Sequence, residues 1–137
     1  MDTRKAATAL WRRQVRDLLH DSAASGAAEQ TLRLLEASYL LIGDEGSARI
    51  EAMLRAGAFE SAALAILDEG SGYMLSRGAS GAALASVILS GRDAEVTAEA
   101  ETPALALIVA HLSALLEDGR ERSLGSHIAA AGSARLN

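Results

Sequence analysis

From Thr3 to His20 the apolar residues Ala7, Leu10, Trp11, Val15, Leu18 and Leu19 recur at spacings of three and four, while arginines fill the remaining arc. That period predicts a helix with one apolar face. A small-residue break, SAASGAA at residues 22 to 28, precedes TLRLLEASYLLI at 31 to 42. This second helix is apolar around most of its circumference before Gly43 stops it, so it must be covered on several sides. After the turn GDEG a third helical segment starts near Ser47. Ile50, Met53 and Leu54, then Phe59, Ala62, Ala63, Ile66 and Leu67, keep helical spacing past Gly57. Gly57 is either a kink or a boundary between two short helices.

From residue 70 the period changes. GYMLSR (72 to 77), ALASVIL (83 to 89) and AEVTAE (94 to 99) are short runs separated by GASG and SGRD. Such turn sequences between short runs predict three antiparallel strands joined by hairpins. In the third, Val96 and Ala98 face a core while Glu95, Thr97 and Glu99 face water. Thr102 followed by Pro103 then opens a helix, a hydroxyl cap before a proline at the first helical position. Leu105, Ile108, Leu112, Leu115 and Leu116 form its buried stripe, with His111 on the opposite, outward arc, and Gly119 lies where the helix should end.

The expected architecture is therefore α+β. Residues 1 to 43 form an N-terminal helical hairpin, residues 47 to 118 an αβββα domain with a three-stranded antiparallel sheet, and residues 119 to 137 a loosely held tail with one weak helical stretch around SHIAAA. A chain of 137 residues, half of them apolar, is long enough for one real core and too short for two full-size domains.

Composition narrows the functional classes. With 0 cysteines the chain forms no disulfide, thiolate metal site or iron–sulfur cluster, and it needs no oxidising compartment. The longest apolar runs, such as LALIVA at 105 to 110, fall well short of the roughly 20 residues that span a bilayer, and no apolar signal core follows the N-terminus. A cytoplasmic location and no membrane partner are expected. The basic, amphipathic start could also serve as an organelle transit peptide. The single lysine, set against many Ala, Arg and Gly residues, favours a bacterial chain from a GC-rich genome.

The net charge of −5 disfavours nucleic acid as the main partner, but the charge is uneven. Residues 1 to 16 are locally +4, with Arg4, Lys5, Arg12, Arg13 and Arg16 against Asp2.

The helix–strand–strand–strand–helix order is similar to the double-stranded RNA-binding domain fold. It also resembles small phage-derived "ABA sandwich" domains, whose last helix begins with a Thr-Pro-like cap. MLRAGAFESAALAIL, with the later ETPALALIVAHLSALL, resembles small uncharacterised alphaproteobacterial proteins that pair such a helix with a short sheet. These likenesses cover roughly residues 47 to 118, and only the first implies an activity. That activity requires a lysine cluster at the start of the final helix and a histidine in a hairpin loop. Here the final helix begins with Glu99, Glu101, Thr102 and Pro103, and the loop is Gly78-Ala79-Ser80-Gly81 beside Arg77. The glutamates repel phosphate, and their position before a helix is explained by the macrodipole.

No catalytic constellation emerges. His20, His111 and His127 show no short paired spacing for a metal. Ser80 sits in a hairpin turn rather than between a strand and a helix, and Gly70, Gly72, Gly78 and Gly81 lack the lysine and helix start of a phosphate loop. No catalytic, cofactor-binding or metal-ligating residue is assigned, and no cofactor is expected. Residues 29 to 56 could be taken as a helix-turn-helix around GDEG, but Arg49 and Arg55 beside Glu51 and an acidic turn make a poor footprint for DNA.

The expected role is non-catalytic: protein–protein contact or self-association, with a protein partner or a homo-oligomer. The candidate surface is Trp11, Arg12, Arg13, Arg16, Leu34, Tyr39 and Leu41. The alternative is nucleic-acid binding through the αβββα fold, with the basic first helix supplying charge. A continuous positive face joining its arginines to Arg77 and Arg92 would favour it.

Overall fold

The computed structural model describes residues 3 to 118. The tail from residue 119, with the SHIAAA stretch, His127 and the stop expected at Gly119, lies outside the described residues. The chain runs α1 (Thr3–Ala23), a short 3-10 turn (Ala27–Glu29), α2 (Gln30–Leu41), α3 (Gly43–Arg55), α4 (Phe59–Ile66), β1 (Gly72–Arg77), β2 (Ala83–Ile88), β3 (Glu95–Ala100) and α5 (Pro103–Glu117). It is the expected α+β arrangement, with helices first, then the sheet, then a final helix.

One helix boundary differs from the sequence expectation, and a second takes one of the two expected forms. GDEG is no loop: it forms the first turn of α3, where Asp44 and Glu45 face the positive end of the helix dipole. Only Ile42 separates α2 from α3, and the joint is locked by buried hydroxyls. Ser38 and Ser47 meet at 2.9 Å, and each also reaches a carbonyl of its own helix, Leu35 O and Gly43 O, at 2.8 Å. Gly57 is a boundary rather than a kink. With φ at +77°, it lets its own N–H reach Leu54 O at 3.0 Å and that of Ala58 reach Met53 O at 2.9 Å, a Schellman closure that ends α3.

The sheet is antiparallel in the order β1-β2-β3. Gly72 to Arg77 pair with Ile88 to Ala83 without a bulge, and Ala83 to Ile88 pair in turn with Ala100 to Glu95. Ala83, Ala85 and Val87 point to the core, while Ser86 and Thr97 share a 2.8 Å hydroxyl contact on the outer face. On β3, Glu95, Thr97 and Glu99 are exposed and Val96 and Ala98 partly covered, the alternation read from the sequence.

The core is built around α5. Thr102 caps it by accepting the Leu105 N–H at 3.1 Å, and Pro103 occupies its first turn. One side of α5 lies against β2 and β3, and the other against α1, α2 and α4. It therefore has no outward arc over most of its length, and eleven residues from Ala104 to Leu115 are buried. His111 is among them at 0% exposure, which corrects its expected surface position. The expected stripe missed Leu107 and Ala110, apolar residues that fill the other side, and a helix apolar all round belongs in an interior.

The N-terminal hairpin is part of the same core. Val15 and Leu18 of α1 and Leu34 and Ala37 of α2 join the cluster formed by α5, α4 and the sheet. Arg12 Nη1 donates to Leu116 O at 3.3 Å, and Arg92 Nε meets Asp118 Oδ1 at 2.8 Å, so both α1 and the β2–β3 turn are pinned at the end of α5. No described helix is long and apolar enough to cross a membrane.

Candidate functional site: a groove between the first two helices

Where α1 and α2 lie side by side, their solvent-facing flanks leave an open groove of about 880 Å³. The α1 wall is Trp11, Gln14, Leu18 and Asp21, spaced three and four apart and hence one above another on a single face, with Asp17 beside them. The α2 wall repeats the geometry with Leu32, Leu35, Glu36, Tyr39 and Leu40. Its floor is apolar. Among the described residues, its charged lining groups are Asp17, Asp21 and Glu36, so the rim is acidic.

The groove carries unusual apolar exposure. The exposed large apolar residues among those described are Leu10, Leu32, Tyr39 and Ile42 on the helical hairpin and Tyr73 and Met74 on β1. Leu32 is 50% exposed and Tyr39 46%, and both line the groove, where they adjoin the apolar surface of Trp11, Leu35 and Leu40.

Neighbouring polar groups hold the α2 wall in place. Arg33 Nε donates to Ser25 Oγ at 2.8 Å, and its Nη1 pairs with Glu36 Oε1 at 2.9 Å. The Tyr39 hydroxyl donates to Glu51 Oε2 on α3. That hydrogen bond, together with desolvation and the negative charges of Glu51 and Asp44, raises the phenol pKa above its ordinary value.

The residues expected to form an interaction surface divide. Trp11 and Tyr39 line the groove. Leu34 does not: it is fully buried in the core, and Leu41 is partly buried against that core. Arg12 is spent on the last turn of α5, whereas Arg13 and Arg16 are exposed on α1 outside the groove. The sequence placed Leu35 and Leu40 in the apolar excess of α2 without assigning them to the surface, and it missed Leu32 and the acidic rim. The 14-17-18-21 spacing carried a signal for the α1 half, which becomes readable once α2 is known to lie alongside.

The arginines that would form a continuous positive face are spread along the molecule. Arg12 and Arg92 bind at the C-terminal end of α5, whereas Arg77 borders Pro103 at its start. The 15 residues of α5 separate those ends by about 22 Å. Among the described residues, no group of three or more His, Asp or Glu is placed to hold a metal ion. Comparison of the chain with protein-family models, curated proteins and solved structures gave no match.

Proposed function

We propose that this is a non-catalytic interaction protein whose α1–α2 groove receives an apolar, positively charged segment of another protein. The observation that carries the reading is the groove itself, an apolar floor holding half-exposed Leu32 and Tyr39 beside the carboxylates of Asp17 and Asp21 and the Arg33-paired Glu36. Apolar contact would supply most of the affinity. The carboxylates would select a cationic segment and steer its approach, while repelling acidic competitors. An amphipathic helix with lysines or arginines flanking leucine-like anchors has the matching shape, since helices present such anchors at the same three- and four-residue spacing. The same rim, with Glu99 and Glu101 before α5, supports a protein partner over a polyphosphate one.

The test is purification of a tagged chain from its native host at low salt, beside a Leu32→Glu variant and an Arg49→Glu control. The reading expects a defined protein that stays with the wild type and the control and is lost with Leu32→Glu. Recovery of no protein, of a protein insensitive to Leu32→Glu, or of nuclease-sensitive material that leaves as salt rises overturns it.

A further inference from the structure

The second exposed apolar surface is β1, and it differs from the groove in kind. α5 lies beneath β2 and β3, and β1 projects past it. Tyr73 is therefore 51% exposed although its register partner, Val87, is fully buried on the core face of the same sheet. Met74, on the other face, is 65% exposed. β1 is also an edge strand of the described sheet, with one row of backbone donors and acceptors that no described strand pairs.

The direction of those groups follows from the hairpin. Gly78 N–H donates to Ala82 O across the β1–β2 turn at 2.8 Å. Because backbone groups alternate sides along a strand, those of Ser76 and Met74 also point to β2, and those of Tyr73, Leu75 and Arg77 point outward. Among the described residues, no proline or bulge interrupts this edge, and its one charged side chain, Arg77, sits at the end of the strand. The opposite edge, β3, carries exposed Glu95 and Glu99, which would oppose one another if β3 paired with itself about Thr97.

We infer that β1 pairs with β1 of a second copy, antiparallel about a two-fold axis at Leu75, to give a continuous six-stranded sheet. With Leu75 opposite its own copy, Tyr73 falls opposite the second copy's Arg77. All outward backbone groups of the three residues then find partners. This register sets a guanidinium beside an aromatic ring on the shared face and brings two Leu75 side chains together where each is now only partly covered. An isologous contact of this kind closes after two chains. It uses a surface separate from the α1–α2 groove, so either can fail without the other.

The chain has 0 cysteines, so a single introduced thiol reports the register directly. Opposed residues of a hydrogen-bonded antiparallel pair have Cα atoms about 5.5 Å apart, within disulfide range. Leu75→Cys in the full chain should therefore form a covalent dimer on mild oxidation. Tyr73→Cys, whose two copies lie four residues apart along the strands, should not. In sedimentation velocity, wild type should run as a concentration-dependent dimer. Tyr73→Pro, which removes an outward N–H and leaves the β1–β2 ladder intact, should raise the dissociation constant about tenfold or more with an unchanged circular dichroism spectrum. Tyr73→Lys, placing like charges opposite one another, should weaken the dimer as well. A wild type that stays monomeric at high concentration overturns the inference. So does equal cross-linking of the two cysteine variants, a dimer indifferent to both Tyr73 substitutions, or growth into open fibres, which would signal pairing of β1 with β3.

Discussion

The Thr102 hydroxyl stands 2.9 Å from Gln30 Oε1, so the side chain that closes the first turn of α5 also ties that helix to the start of α2. Its oxygen accepts the Leu105 N–H while its hydrogen goes to Gln30, which uses both capacities of one hydroxyl. Thr102→Ala removes the cap and the link together and should cost about 1–2 kcal/mol in urea unfolding. Thr102→Ser should retain most of that stability. Because Gln30 loses only the second contact, Gln30→Ala should cost less than Thr102→Ala, and the two should be non-additive in a double-mutant cycle.

His111 tests the central position of α5. A histidine on an outward arc would tolerate substitution within about 0.5 kcal/mol. At 0% exposure, between the sheet and the helical layer, its replacement by alanine leaves a cavity and should cost about 2 kcal/mol or more. Equilibrium denaturation measures the difference, and a near-neutral result would contradict the burial.

These two residues also show what the sequence could and could not disclose. Thr102-Pro103 is a local signal whose partners lie within one helical turn, and the structure bears it out. The strands are similarly local: the first has the expected bounds, the second ends one residue early and the third is shifted by one residue, because glycine-bearing turns and alternation mark them directly. His111 depends on what lies on the far side of α5, which no window along the chain contains. The same holds for α2. Leu32 and Leu34 are equally apolar in sequence, yet only Leu34 meets the core, because α2 touches α1, α3, α4 and α5 and the arc bearing Leu32 and Tyr39 is left over. The groove is a residue of packing, so its apolar floor was visible as an excess and its location was not.

Tyr39 should titrate late. Its phenol donates to Glu51, and ionisation would set a phenolate against a carboxylate with Asp44 nearby, so the folded pKa lies above the unfolded value near 10. The sign follows: the stability from this contact is fully present below about pH 10 and is lost as pH rises through the raised folded pKa. Absorbance at the phenolate band, with Tyr39→Phe identifying the transition, should show the midpoint falling in Glu51→Gln. A midpoint unchanged by that substitution would remove Glu51 as the main cause.

Gly26 and Glu101 meet where the chain passes from α1 to α2, so the glutamate that precedes α5 also bonds a distant turn. Glu101 Oε1 accepts the Ala27 N–H at 2.5 Å, while Glu29 Oε1 accepts that of Gly26 at 2.7 Å, so two carboxylates organise the turn between α1 and α2. A Cβ on Gly26 would fall 2.4 Å from Glu101 Oε1. Gly26→Ala must therefore push that carboxylate aside and release the Ala27 N–H to solvent. The end of the Glu101 side chain is flexible and the site exposed, so the expected loss is about 1 kcal/mol rather than a failure to fold. Glu101→Ala alone should cost a similar amount. Since both changes abolish one contact, combining them should cost little more than either alone, whereas full additivity in thermal or urea unfolding would mean that Gly26 is required for some other reason.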